Sequence, residues 1–312
     1  MNLKNILIIL SHKCNYRCEH CYDKKNRNLL DDYTIFQNTK IVIKKLKDLG
    51  VDSVKFTGGE CTLFKHFPDL LDFTHRNNIK MSIFTNGSNK DFSLYRHVSA
   101  ICTSLDGNET KHNMIRGENN AYKNVLKLIK RFYNSEKIIS IQSTISKNNI
   151  DDLSFLDSVS NLINRDKDKV FVSSMVRTGD YLSDKLLLSS KDNKAVYYKI
   201  NELLARNNYH LDISTNVIRR QSLEYIKKET FFDNMPVFLD IATDEYYIFS
   251  DKIKFSDVCN INFSLLKKVC SDMKNNFKKL QSLKYNEFIN IEDEIIRIIP
   301  LNKTSSSLPL WR

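Results

Sequence analysis

Cys14, Cys18 and Cys21 crowd three thiols into the run Cys-Asn-Tyr-Arg-Cys-Glu-His-Cys. Thiolates at this C-x3-C-x2-C spacing, in one loop, can hold three irons of a 4Fe–4S cubane, and the lack of a fourth cysteine in the loop leaves one iron open. The alternative chemistry is a structural zinc site, which wants four protein ligands, commonly as separated C-x2-C pairs. The spacing favours the cluster. Further along, Phe56-Thr57-Gly58-Gly59-Glu60-Cys61 places two glycines and a carboxylate where a strand ends. Backbone without Cβ atoms can approach a ligand closely there.

The elements that position these residues are legible from period and composition. Short apolar or β-branched runs at Asn5 to Leu10, Ser53 to Thr57, Lys80 to Thr85, Ala100 to Ser104, Ile138 to Thr144 and Lys169 to Met175 alternate with amphipathic stretches. This is the pattern of repeated βα units around a parallel sheet. Asp32 to Leu49 reads as a helix with Ile35, Val42, Leu46 and Leu49 on one face and Gly50 as its left-handed cap. Ala121 to Tyr133 reads as another, with a stripe of Tyr122, Val125, Ile129 and Phe132. Of only seven glycines in the chain, Gly58, Gly59, Gly87, Gly107 and Gly179 each follow a candidate strand. Cys14, Cys18, Cys21 and Cys61 fall on the same rim, where the βα loops of a barrel build an active site. The fold class expected is α/β, a partial (β/α)6 barrel with a small C-terminal α+β extension.

The C-x3-C-x2-C loop followed by Gly58-Gly59-Glu60 at the end of the second strand resembles the radical S-adenosylmethionine (AdoMet) superfamily, over about residues 4 to 177. The resemblance implies that Cys14, Cys18 and Cys21 hold one 4Fe–4S cluster whose open iron chelates AdoMet, and that reductive cleavage yields a 5′-deoxyadenosyl radical. It implies a cofactor-binding role for Gly58, Gly59 and Glu60, the carboxylate accepting a hydrogen bond from the AdoMet amino group. Thr85 and Asn86, before Gly87, resemble a rim segment near the cofactor. Ser104 and Asp106, in Ser-Leu-Asp-Gly, resemble residues on its ribose or sulfonium side, and Gln142, with Ser143 and Thr144, is a candidate for the ribose hydroxyls. His20, where an aromatic residue is usual, and Tyr22 are candidates to pack on adenine.

Ser104-Leu-Asp-Gly together with His112-Asn-Met-Ile-Arg116-Gly117 resembles the peptide-modifying and sulfatase-maturing members of that superfamily. Such members continue into an extension carrying auxiliary clusters, of the SPASM or twitch kind. Here Val237 to Ile241 with Glu245 to Phe249 reads as its hairpin, and about Phe263 to Leu280 as a helix. With only Cys259 and Cys270 beyond the barrel, four cysteines for an auxiliary cluster are not present. The extension therefore reads as a degenerate form that covers substrate, with domains at 1–210 and 211–312. Cys61, Cys259 and Cys270 are candidates for a hydrogen-atom donor to a substrate radical, and Cys102 reads as a small core residue.

Composition sets the outer bounds. The chain has 312 residues, 41% hydrophobic and 27% charged, which suits a globular protein and excludes a fibrous repeat. No apolar run is long enough to span a bilayer, and an odd count of seven cysteines argues against a secreted disulfide framework, so a reducing cytoplasm is expected. The net charge of +11 is spread over scattered lysines, so neither nucleic acid nor a membrane is the expected partner. The expected function is hydrogen abstraction from a residue of a ribosomally made peptide, ending in epimerisation or a C–C or C–S cross-link. The expected partners are that substrate and an electron donor such as flavodoxin or ferredoxin. A radical enzyme acting on a small molecule or sugar, and a non-catalytic Fe–S sensor, are the competing readings; the sensor has no use for the glycine rim and Glu60.

Overall fold

The computed structural model describes residues 6–21, 28–163, 165–174, 184–206, 211–213, 237–243, 245–248 and 251–256. Its centre is strand β1, Ile6–Ser11, buried along its whole length. A strand covered on both faces needs an unbroken apolar run, and Ile6 to Leu10 supplies one. Beside it lie β2 (Ser53–Gly58), β3 (Lys80–Phe84), β4 (Val98–Ser104), β5 (Ile138–Ile145) and β6 (Lys169–Ser174), each parallel to the last. All six expected strands are present, displaced at their ends by at most two residues.

The strands alternate in a way that defines two surfaces. Val54, Phe56, Met81, Ile83, Ile101, Ile139, Ile141, Val170 and Val172 join the apolar core under the helices. The intervening residues Lys55, Thr57, Ser82, Cys102, Ser104 and Ser140 are only half-buried and fall on the other, inner face. A barrel interior is ordinarily filled by Val, Ile and Leu. This one also carries small and polar side chains, beside Leu7, Ile9 and Phe84, which stand in register with Lys55, Thr57 and Cys102.

The helices cover the outer face. α1 (Asp32–Asp48) is capped by Asp31, whose carboxylate accepts from the backbone of Tyr33 and Thr34 at 2.9 and 3.0 Å. It buries Ile35, Thr39, Val42, Ile43 and Leu46. Leu49, expected on that face, is exposed instead, because the helix has ended and Gly50 takes φ +76°. α2 (Phe67–Arg76), α3 (Glu109–Arg116), α4 (Ala121–Phe132), α5 (Phe155–Leu162) and α6 (Ser190–Ala205) follow in order.

The chain after β6 departs most from expectation. β7 (Leu211–Ile213) adds a seventh parallel strand beside β6. β8 (Val237–Asp240) returns to the opposite edge and pairs with β1, also in parallel, in the register Ile6 with Val237 to Ile9 with Asp240. β9 (Glu245–Ile248) and β10 (Asp251–Ser256) then turn back antiparallel. The hairpin assigned to the extension thus continues the barrel's own sheet, which runs β10-β9-β8-β1-β2-β3-β4-β5-β6-β7. The expected helix at 263–280 and Gly179 lie outside the described residues. Among the described residues no helix is long and apolar enough to cross a membrane.

Candidate functional site

The loop after β1 carries Cys14, Cys18 and Cys21, and the end of β2 grips it. Gly59 N–H donates to Ser11 O at 2.6 Å, and Glu60 N–H donates to Lys13 O at 2.9 Å. Gly58 has φ +143°, and a Cβ there would stand 2.2 Å from Ser11 O; at Gly59 it would stand 2.3 Å from Lys13 O. The close approach that demands both glycines in this structure is therefore to the cysteine loop itself. On the loop's other side, Arg17 N–H donates to Arg116 O at 3.3 Å and Glu19 N–H to Ile115 O at 2.9 Å. Gly117 caps α3 at φ +60°, and its Cβ would lie 2.5 Å from Arg17 O.

Each clamp also delivers a donor to a thiol. Cys14 Sγ accepts from Tyr16 N–H at 3.4 Å and from the Asn86 amide at 3.9 Å, and Cys18 Sγ accepts from Arg116 Nη1 at 3.9 Å. Burial pushes the Cys14 pKa up to about 11, with the charges of Glu60, Cys18 and Cys21 adding to the effect, so the three thiols lie within electrostatic reach of one another. Among the described residues no three His, Cys, Asp or Glu side chains converge on a point where a single ion would sit. A cubane does not ask for that, because each thiolate binds its own iron. Three half-buried thiols in one clamped loop, met by hydrogen-bond donors, fit a cluster with one open iron.

Glu60 follows directly and is completely buried. Its Oε1 accepts from Thr62 N–H at 3.1 Å, Thr62 Oγ1 at 2.6 Å and Thr85 Oγ1 at 2.8 Å, and Oε2 accepts from Asn86 N–H at 2.6 Å. Burial raises its pKa, and these donors pull it back down. The carboxylate thus ties the loop after β3 to the loop after β2. Asn86 continues the tie through Asn15 Oδ1 at 2.9 Å. Thr85, Asn86 and Glu60, expected as separate cofactor contacts, form one hydrogen-bonded rim.

Asp106 follows in the loop after β4. It is fully buried, and both its oxygens are engaged: Oδ2 accepts from Arg116 Nε at 2.7 Å, and Oδ1 from Thr144 N–H at 2.9 Å. Arg116 Nη2 lies 2.6 Å from Oδ2 without the angle of a hydrogen bond, so charge alone holds it there. Asp106 thus supports the arginine. Its N–H donates to His112 Nδ1 at 3.0 Å, and Asn149 donates to its carbonyl at 2.7 Å.

Burial pushes the His112 pKa down from its ordinary 6.5 to about 4. The unfolded chain therefore takes up this proton first, and stability that is present above about pH 6.5 is lost as the pH falls toward 4. The loss amounts to about 3 kcal/mol at most. Urea midpoints at pH 7 and pH 4.5 should differ less in His112→Gln than in the unsubstituted protein. An equal difference in the two proteins would refute a neutral buried histidine.

The cysteine expectations change as well. Cys61 is wholly buried in a 3-10 turn, and its thiol donates to Phe84 O at 3.2 Å. Its thiol is turned to the end of β3. Cys102, expected in the core, is instead half-buried on the inner face, where the Lys55 ammonium acts on it electrostatically. Ser104 pairs in register with Gln142. His20 is buried, 2% exposed. Tyr22, Cys259 and Cys270 lie outside the described residues.

One pair that sequence reasoning missed joins the rim to the returning hairpin. His12 Nε2 lies 2.9 Å from Asp240 Oδ2, and the backbones of Leu29 and Leu30 donate to Ala242 O at 3.1 and 3.2 Å. The partners are 228 residues apart in sequence, so no local signal marks them.

Comparison with known proteins agrees with this geometry. The profile of the Radical SAM superfamily matches residues 8–159. The sporulation killing factor maturation protein SkfB of Bacillus subtilis is 27% identical over 150 residues, covering 46% of this chain and 36% of SkfB. An S-adenosylmethionine-dependent nucleotide dehydratase of Flammeovirga pacifica is 27% identical over 193 residues, covering 57% of this chain and 66% of the dehydratase. The chain thus spans about a third of the length of curated relatives such as SkfB. SuiB of Streptococcus suis shares the fold. Solved with S-adenosylmethionine bound, it superposes with TM-score 0.63 at 16% identity, covering 90% of this chain and 68% of SuiB. Solved with its precursor peptide SuiA, it superposes with TM-score 0.61 at 18% identity, covering 78% and 58%. The superfamily uses a 4Fe–4S cluster and AdoMet. With the three-cysteine loop clamped between the Gly58–Glu60 turn and α3, and the matched profile spanning both, residues 8–159 of this chain form a radical SAM domain.

Proposed function

We propose that the chain holds one 4Fe–4S cluster through Cys14, Cys18 and Cys21 and abstracts hydrogen from a residue of a ribosomally made peptide, leading to epimerisation or to a C–C or C–S cross-link. The observation that carries this reading is the cysteine loop locked by backbone hydrogen bonds to Gly59, Glu60, Ile115 and Arg116. The reaction's hydrogen abstractor is the 5′-deoxyadenosyl radical that the cluster and AdoMet supply when bound.

The chain's own residues do the rest. The Glu60 rim holds Thr85 and Asn86 in place and offers Oε2, with a single protein donor, to the AdoMet amino group. Ser104 and Gln142, paired in register, supply polar groups to the site. His12 and Asp240 fix the hairpin beside the cysteine loop, where it can help close the mouth over a peptide. An electron carrier such as flavodoxin or ferredoxin delivers the reducing electron. Likeness to SkfB and to SuiB, solved with a precursor peptide, supports the substrate class.

A second reading, a small polar substrate, draws support from the half-buried Lys55, Ser82, Cys102 and Ser140 on the inner face and from likeness to a nucleotide dehydratase. Anaerobic incubation of the reconstituted protein with AdoMet, a reductant and a short peptide encoded beside its gene separates the two. No mass change with deuterium uptake means epimerisation, and a loss of two mass units means a cross-link. AdoMet cleavage with the peptide untouched would move the assignment to a small molecule.

A further inference from the structure

The end of α3 does more than brace the cysteine loop. Arg116 is 5% exposed, and its guanidinium joins two groups of opposite consequence. Nε and Nη2 face Asp106 Oδ2 at 2.7 and 2.6 Å, while Nη1 reaches Cys18 Sγ at 3.9 Å. The fork is not free to turn away. Asp106 is itself pinned by Thr144 N–H, His112 Nδ1 and Asn149, and the backbone of Arg116 receives Arg17 N–H from the cysteine loop. A permanent positive charge is therefore fixed in a water-poor site against one of three candidate cluster thiolates, with a carboxylate behind it.

We propose that Arg116 and Asp106 are positioning residues that set the reduction potential of the cluster, Arg116 raising it and Asp106 moderating that rise. The inference rests on Cys18 being a cluster ligand. Adding an electron to a cluster makes it more negative, so a nearby cation favours the reduced form and a nearby anion opposes it. At this range inside a protein, a unit charge interacts with energies several times thermal energy, and donors to cluster sulfur are a recognised lever on potential. The two substitutions must then act with opposite sign. Loss of Arg116 lowers the potential, and loss of the Asp106 charge leaves the arginine less compensated and raises it. A purely structural role for the pair gives no such sign reversal, because loosening the loop by either route exposes the same cluster to water.

The test is an EPR-monitored redox titration of the anaerobically reconstituted protein, without AdoMet, for the unsubstituted chain, Arg116→Met, Asp106→Asn and Lys123→Met. Lys123 supplies a control: it lies on α4, exposed and paired with Glu109 at 3.1 Å, so loss of its charge is screened. The expected result is a fall for Arg116→Met of at least tenfold in the one-electron equilibrium, about 59 mV, a rise for Asp106→Asn, and less than a twofold change for Lys123→Met. Shifts of the same sign in the first two variants, or Arg116→Met within twofold of the unsubstituted protein, overturn the proposal. Should Arg116→Met fail to retain iron, the sign for Asp106→Asn decides alone: upward supports the proposal, zero or downward overturns it. An unsubstituted chain that binds no cluster would defeat the reading of Cys14, Cys18 and Cys21 instead, which iron analysis shows before any titration begins.

Discussion

Replacing Cys14, Cys18 and Cys21 together with Ala should leave the anaerobically reconstituted protein with no iron, against about four irons per chain without the substitution. The fold should survive the change. All three side chains are half-buried and outside the apolar core, and the loop is held by backbone bonds from Gly59, Glu60, Arg17 and Glu19 that the substitutions leave intact. The thermal midpoint of the iron-free chain should therefore move little, while absorbance from the cluster vanishes. Around eight irons in the unsubstituted protein would require further cluster ligands, with Cys259 and Cys270 the first to examine. Iron retained by the triple variant would remove the loop from the cluster altogether.

The features that were legible in the sequence are those set by local period and by residue type. Strands at Ser53 and Ile138 declare themselves because β-branched residues alternate with polar ones, and such a pattern fits a sheet with one face under helices. The C-x3-C-x2-C loop and Gly58-Gly59 are legible because few chemistries need them. Partner choice is not local. Val237 to Asp240 reads as a strand from its composition, but nothing in it says that it pairs in parallel with β1, so sequence alone sets the hairpin in a separate extension. Cys61 and Cys102 show the same limit at the scale of one side chain. The tight turn after β2 directs Cys61 into the wall, whereas the alternation of β4 sets Cys102 on the inner face. The motif running from Ser104 to Gly117 is recognisable as a string, but its physical work depends on Arg116 reaching Cys18, 98 residues away in sequence.

Glu60→Gln should weaken AdoMet binding about tenfold to a hundredfold, corresponding to about 1.5–3 kcal/mol for a hydrogen bond to a charged group, with iron content unchanged. The structure adds a second consequence. Oε1 takes three donors and Oε2 takes Asn86 N–H, a set that an acceptor-only carboxylate can satisfy. Glutamine brings one oxygen and an amide that donates, so whichever way it turns, at least one buried donor of the rim meets another donor. The variant should thus lose about 1–3 kcal/mol of stability as well, read from urea unfolding without AdoMet. The two effects separate cleanly. If Glu60 served only to tie the loops after β2 and β3 together, Glu60→Gln would unfold at lower urea, yet calorimetry well below its unfolding temperature would find AdoMet bound as tightly as before. If its remaining Oε2 capacity receives the AdoMet amino group, affinity falls even where the variant is fully folded. Unchanged affinity in folded Glu60→Gln would confine this carboxylate to holding the rim, and recognition of the amino group would have to be assigned to another residue of the site.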